Sequence, residues 1–265
     1  MTEPNSRTEN SEKRVLPNFP FGTSPAPGIE IEGSATVEKL FPVILPVPCE
    51  EYRKLALRER VKFLSRYARH ALTISEQLTV IRYPLSENQE DGHPLHIRNC
   101  LRENNDLPKD EKGAPMPVKG RWWSVTHKPE YVGAVLSSQP VGMDIEKISL
   151  RSERLWEKIA DSTEKALIDS RQPDSFFRYW TAKEAVLKAA GTGLTELSQC
   201  RIAQVPDADH LILRYRDRDW HVEHFRIGKH LASVIKNSRQ VEWHVFPLAP
   251  ERISAGSITG ASPMP

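Results

Sequence analysis

The stretch WWSVTHKPEYVGAVLSSQPVGMDIEKI, Trp122 to Ile148, divides into three strand-like runs, Trp122 to His127, Tyr131 to Ser137 and Val141 to Ile148. Each is rich in the β-branched and aromatic residues that suit a pleated, half-buried surface. Ser137, Ser138, Gln139 and Pro140 supply a turn between the last two, so the sequence predicts a meander. In the third run the strand period of two puts Asp144 and Glu146 on one face and Met143 and Ile145 on the other, a pattern that suits burial.

Downstream, two helical segments are expected, Ser152 to Ser170 and Asp174 to Ala190, the second stopped by Gly191, Thr192 and Gly193. Five further strand runs follow: Cys200 to Val205, Leu211 to Tyr215, Trp220 to Ile227, Leu231 to Lys236 and Val241 to Phe246. Upstream, Val37 to Val47 reads as a strand interrupted by Pro42 and Pro46, which argues for a sheet edge. A helix from Glu50 to about Leu72 carries Tyr52, Leu55, Ala56, Phe63, Leu64, Tyr67, Ala68 and Ala71 near helical spacing. Arg53, Lys54, Arg58, Arg60, Lys62, Arg66 and Arg69 crowd its other side, the pattern also of a solvated face. A shorter helix, Leu95 to Asn104, leads into a loop from Pro108 to Gly120. Helices bunched between antiparallel strand runs give an α+β fold rather than βαβ alternation.

The outer segments, residues 1–35 and 250–265, hold Pro, Ser, Gly and polar residues with little to bury, and are expected to be disordered tails. Basic and acidic residues number 37 and 35, a formal charge of +2, so the molecule has no strong field for nucleic acid or an anionic membrane. No run approaches the roughly 18 apolar residues of a membrane helix, and the opening MTEPNSRTEN lacks the apolar middle of a secretory signal. Cys49, Cys100 and Cys200 show no pairing pattern and no CxxC, which argues against disulfides and a thiolate zinc site. A cytoplasmic location is expected.

Asp144 and Glu146 on one strand face are unfavourable neighbours unless a cation lies between them, and oxygen ligands suit magnesium or manganese rather than zinc. A solvated strand face satisfies the same pattern. In the second helix Phe176, Trp180, Lys183, Glu184 and Leu187 share a stripe, with Ala182, Ala185 and Ala189 opposite and Lys188 at the margin. Charges among bulky apolar residues either snorkel outward or are partnered; read in isolation, this helix favours snorkelling. His127 ends an aromatic-rich strand beside Lys128, which hints at an anion.

GMDIE, followed about forty residues later by FRYWTAKEAVLKAAGTGL, resembles the signature pair of the 4'-phosphopantetheinyl transferases. WWSVTHKP resembles the family's strand ending in Ser or Thr then His, and Ser162-Thr163-Glu164 before Leu167 resembles its acidic segment. The likeness implies the larger, surfactin type: a pseudo-dimer of two similar α+β halves with antiparallel sheets, residues 36–140 and 141–249, and an active site at their interface. It implies an enzyme moving phosphopantetheine from coenzyme A to a serine of an acyl or peptidyl carrier protein.

Carried over residue by residue, Asp144, Glu146 and Glu184 would hold magnesium, with manganese as a substitute. His127, preceded by Thr126, and Lys188 would hold the pyrophosphate of coenzyme A, with Lys183 beside them. Glu184 is also the family's candidate general base. Glu111 to Pro115 resembles the family's loop before the histidine strand, but Ala114 stands where that loop has lysine. That leaves Lys112, or Arg58, Lys62 and Arg66 of the first helix, to meet the 3'-phosphate. A monomer is expected, with no nucleic-acid or membrane partner. The rivals are a non-catalytic binder of coenzyme A or carrier protein, and a magnesium-dependent phosphohydrolase.

Overall fold

The computed structural model describes residues 37–82, 107–111, 113–168 and 172–247. Both tails, the helix expected at Leu95 to Asn104, and Lys112 lie outside the described residues. The fold is α+β: strands β1 (Lys39–Leu40) and β2 (Val43–Pro46), helices α1 (Cys49–Lys54) and α2 (Leu57–Arg82), then β3 (Trp122–His127), β4 (Tyr131–Ser137) and β5 (Met143–Lys147). Helices α3 (Glu153–Ile159), α4 (Ser162–Lys165) and α5 (Pro173–Ala190) follow, then a 3-10 turn, Leu194–Gln199. The chain ends in β6 (Arg201–Gln204), β7 (His210–Tyr215), β8 (Arg218–Ile227), β9 (His230–Ile235), β10 (Gln240–Val241) and β11 (His244–Val245).

β3 and β4 form the expected hairpin, but β5 does not complete a meander. It pairs antiparallel with β9 and becomes the edge of a five-stranded sheet ordered β5-β9-β8-β7-β6, while β3 and β4 stay in a second sheet ordered β11-β2-β4-β3. The outward N–H groups of β5 are not left bare: Met143 N donates to Ser124 Oγ (3.0 Å) and Ile145 N to Thr126 Oγ1 (3.3 Å). Two hydroxyls of β3 replace a main-chain ladder, which sequence periodicity does not distinguish from strand pairing.

β2 lies between β11 and β4 rather than at an edge. Pro42 falls in the break before β2 and Pro46 at its last position, so neither missing N–H interrupts the ladder between them. The final expected strand splits into β10 and β11, which run parallel beside β1 and β2. Main-chain bonds from Gln240, Glu242, His244 and Phe246 to the carbonyls of Glu38, Leu40, Pro42 and Ile44 make this seam continuous.

The first helix is likewise two pieces: α1 ends before Leu55 and Ala56, and α2 continues ten residues past the expected Leu72. Arg60 donates to the carbonyls of Leu55 (3.1 Å) and Arg53 (3.1 Å), covering groups exposed by that break. Deep in α2, Ser75 Oγ donates to Phe41 O (2.8 Å) and accepts from Leu136 N (3.1 Å), so a buried hydroxyl fastens the helix to both β4 and the β1–β2 break.

Each of the two larger sheets buries one face under a long helix. Trp123, Val132, Leu136, Leu64, Ala68 and Leu72 form the core between α2 and the four-stranded sheet. Tyr179, Val186, Leu213, Val222 and Trp156 form the core under α5. Leu40, Ile44, Val135, Met143, Ile145, Ala232 and Val234 pack between the two sheets, so Met143 and Ile145 occupy the apolar face that the period of two assigned to them. The described residues all fall in one compact unit.

α5 can approach β5 only because residue 142 has no side chain: a Cβ there would lie 1.9 Å from Ala185 O and 2.9 Å from Ala189 N. Ala182, Ala185 and Ala189 are buried, so small side chains serve the same contact from the helix side. α5 then stops at Gly191, in the left-handed region at φ 69°, with Thr192 N bonded to Leu187 O (3.2 Å) and Gly191 N to Lys188 O (3.2 Å). Gly142→Ala is expected to force the helix off the strand and lower stability by about 1–3 kcal/mol or more, the usual cost of overpacking. A variant melting within experimental error of wild type would show that the contact is looser than described.

Candidate active site

One row of α5 faces one row of β5. Trp180, Glu184 and Lys188 recur every fourth residue and therefore lie along one helix stripe. Opposite them, Asp144 and Glu146 project from the strand face away from Met143 and Ile145. Lys188 Nζ meets Asp144 Oδ1 at 2.7 Å and also donates to Met143 O (3.1 Å). Trp180 Nε1 donates to Glu146 Oε1 (3.2 Å), and Lys128, from the turn after β3, places Nζ 2.6 Å from the same oxygen. Thr126 Oγ1 donates to Asp144 Oδ1 (3.0 Å), so this hydroxyl both orients the carboxylate and receives the strand's Ile145 N–H.

The electrostatics follow from this crowding. Burial first, then the charge of Asp144, pushes the Glu184 carboxyl up to about 7, with Lys188 opposing and Glu146 adding to the rise. His127 stands at the exposed end of β3; loss of hydration, then the positive charges of Lys188 and Lys128, lowers its pKa below the ordinary histidine value. Around neutral pH its imidazole is a neutral hydrogen-bonding group.

Lys183 goes elsewhere. Its side chain is 1% exposed, with Nζ 2.7 Å from Glu164 Oε1 and a further bond to Ile159 O. Glu164 in turn accepts from Ile202 N (2.7 Å) and closes a capping box with Asp161 at the start of α4. The expected snorkelling is therefore corrected: the lysine is buried and paired with a buried carboxylate and a carbonyl, and it ties α5 to α3, α4 and β6. This side chain does not line the row that holds Glu184 and Lys188.

Arg58, Lys62 and Arg66 lie on an exposed row of α2. The loop before β3 is closed by Asp110, whose Oδ1 accepts from Ala114 N (2.8 Å), and by Trp123 Nε1 donating to Met116 O (2.8 Å). A Cβ on Gly191 would sit 3.4 Å from the Ala114 Cβ, which places this loop beside the C-terminal end of α5, three residues from Lys188. Trp180 and Lys128 were not singled out as site residues from sequence. The signals were available: an indole N–H needs an acceptor when partly buried, and position 180 shares the stripe of 184 and 188.

Asp144 is 4% exposed and its Oδ2 atom has no hydrogen-bond partner. An orphaned buried carboxylate oxygen, in a set made only of oxygen donors, fits a hard divalent cation. Among the described residues, no group of three or more His, Cys, Asp or Glu side chains is gathered closely enough to hold a metal ion. Each strand carboxylate is instead engaged by a lysine.

Residues 140–240 match the model of the 4'-phosphopantetheinyl transferase superfamily. Over this segment the chain is similar to that superfamily. It is 33% identical over 104 residues to the 4'-phosphopantetheinyl transferase gsp of Aneurinibacillus migulanus, covering 38% of this chain and 44% of that protein. It is 35% identical over 126 residues to 4'-phosphopantetheinyl transferase Sfp of Bacillus subtilis, covering 41% and 56%, and 33% identical over 117 residues to AcpT of Escherichia coli, covering 41% and 60%. The chain thus spans about half the length of the curated relatives it matches. β5, α5 and every side chain they contribute to the facing rows fall inside the superfamily segment; Thr126, His127 and Lys128 fall outside it.

Two expectations test this geometry. Lys183→Met should lower the melting temperature sharply, because losing one partner of a buried ion pair costs about 3–5 kcal/mol. A melting temperature equal to wild type would show that the pair does not hold α5 in place. The second concerns Glu184. A carboxyl whose native pKa lies above its unfolded value binds its proton more tightly when folded, so the stability cost of ionising it appears as pH rises from about 4.5 to about 7 and is constant beyond. In chelator-treated protein, Glu184→Gln should stabilise by on the order of 2–3 kcal/mol at pH 8 and by far less at pH 5, read from denaturation midpoints. Equal effects at both pH values would refute the raised pKa.

Proposed function

We propose that this protein transfers the 4'-phosphopantetheine of coenzyme A to a serine of an apo carrier protein and releases adenosine 3',5'-bisphosphate. The observation that carries the reading is the facing of Glu184 and Lys188 on α5 with Asp144 and Glu146 on β5, inside the segment shared with the superfamily. On this reading the two helix-backed sheets are the centres of the two halves of a pseudo-dimer, residues 36–140 and 141–249, with β11 crossing from the second half into the sheet of the first and the active site where the halves meet. The enzyme acts as a monomer in the cytoplasm; among the described residues no helix is long and apolar enough to cross a membrane.

Asp144, Glu146 and Glu184 would hold a magnesium or manganese ion, which when bound neutralises the charge of the pyrophosphate oxygens. Lys188 and the neutral imidazole of His127 hold the pyrophosphate in line, and Thr126 keeps Asp144 in its rotamer. The serine oxygen forms a bond to the β-phosphorus. The bond from that phosphorus to the bridging oxygen breaks, and its electron pair leaves with adenosine 3',5'-bisphosphate. Glu184, the carboxylate of the helix row, takes the serine proton. Arg58, Lys62 and Arg66, with Lys112, are the cations available to the 3'-phosphate.

Incubation with coenzyme A, magnesium and a panel of apo carrier proteins should add one phosphopantetheine to at least one carrier, read by intact mass. Asp144→Ala should lower the transfer rate by about a hundredfold or more, since it removes charge-stabilising machinery worth several kcal/mol. Coenzyme A loss without an acceptor would instead identify a phosphohydrolase. Tight binding with no turnover on any carrier would identify a non-catalytic binder.

A further inference from the structure

Among the described residues that face Asp144 and Glu146, Lys128 is the cation carried by a turn. Its backbone N–H is bonded to Tyr131 O (2.7 Å), which fixes the turn, while the side chain reaches back along β3 to Glu146 Oε1 at 2.6 Å. The Lys128 side chain is 30% exposed and that of Glu146 16%, so the lysine is the more solvent-accessible partner of the pair. The other lysine is arranged differently: Lys188 takes Oδ1 of Asp144 and leaves Oδ2 without a partner. Asp144 thus has an oxygen to give while its lysine stays in place. Glu146 Oε1 already receives both Lys128 and the Trp180 indole.

A divalent cation taking an oxygen of Glu146 must approach to about 2.0–2.2 Å, and on either oxygen it lies a few ångströms from Nζ. Two cations at that distance in a partly buried site repel, so the ammonium must swing into solvent or weaken the ion's hold. We propose that Lys128 is a resident counter-ion of Glu146 that competes with the divalent cation for this carboxylate and so sets the cation affinity of the site. The inference rests on the metal-holding role given to Asp144, Glu146 and Glu184 above. Physically, the lysine relieves the repulsion among the carboxylates while no ion is bound, and it yields because its stem is flexible and its head faces water.

The test uses Mn2+ alone as the probe, with free ion counted by electron paramagnetic resonance. Removing a charge-assisted competitor should tighten binding by about tenfold in Lys128→Met. Lys128→Arg, which keeps the charge, should bind as wild type. Lys147→Met should also bind as wild type, because Lys147 pairs with Glu130 and its loss changes net charge without freeing Glu146. Wild-type or weaker affinity in Lys128→Met overturns the proposal, as does an equal gain in Lys147→Met or in Lys128→Arg. Glu146→Gln separates this from the site assignment. If it weakens Mn2+ binding while Lys128→Met does nothing, Lys128 alone is excluded. If it leaves the wild-type affinity untouched, Glu146 is not a ligand and both readings fall.

Discussion

The contact between the Gly142 backbone and the Ala185–Ala189 turn of α5 is the constraint on which the rest depends. It sets the height of the helix over the strand at a value no side chain would permit. At that height an indole, a carboxyl and an ammonium spaced every fourth residue along α5 reach two carboxylates spaced every second residue along β5. The hydroxyls of Ser124 and Thr126 fix the same strand from the other side by taking its free N–H groups. β5 is therefore held by a helix, by a neighbouring strand and by side chains of the second sheet, and its two acidic residues inherit that rigidity.

Much of this was legible in the sequence because it is local. The alternation Met143, Asp144, Ile145, Glu146 assigns faces to a strand whatever that strand pairs with, and Gly191 ends a helix through its own backbone conformation. What was not legible is what the chain decides at a distance. Nothing in residues 131–148 says that β5 turns to β9 instead of β4, since an N–H bonded to a hydroxyl leaves the same alternation as one bonded to a carbonyl. The burial of Lys183 depends on Glu164, nineteen residues away, so the stripe alone could not choose between a snorkelling and a paired lysine. Pro42 and Pro46 argued for an edge by a rule that holds inside strands, and both fall where the rule lapses.

The site also shows how opposed charges are managed without large burial costs. Glu184 is set among like charges and away from water, which keeps its proton near neutrality, while Asp144 and Glu146 each have an ammonium within ion-pair distance. The ionised Glu184 is a local weakness of the fold. The buried Lys183–Glu164 pair lies on a neighbouring part of the same helix, where its bonds hold the frame against that strain.

The seam between residues 240–246 and residues 38–44 has a consequence for how the molecule is made. Those partners are separated by almost the full length of the described chain, so one edge of β2 stays open until residues 240–246 have been made. The four-stranded sheet acquires its last strand only after the five-stranded sheet has been translated. Closing so long a loop is slow, and an open strand edge is a template for the wrong neighbour. Newly made chains should pass through a state with α2, β2, β3 and β4 assembled and β11 absent, and the longer they stay there the longer the open edge is exposed to mispairing.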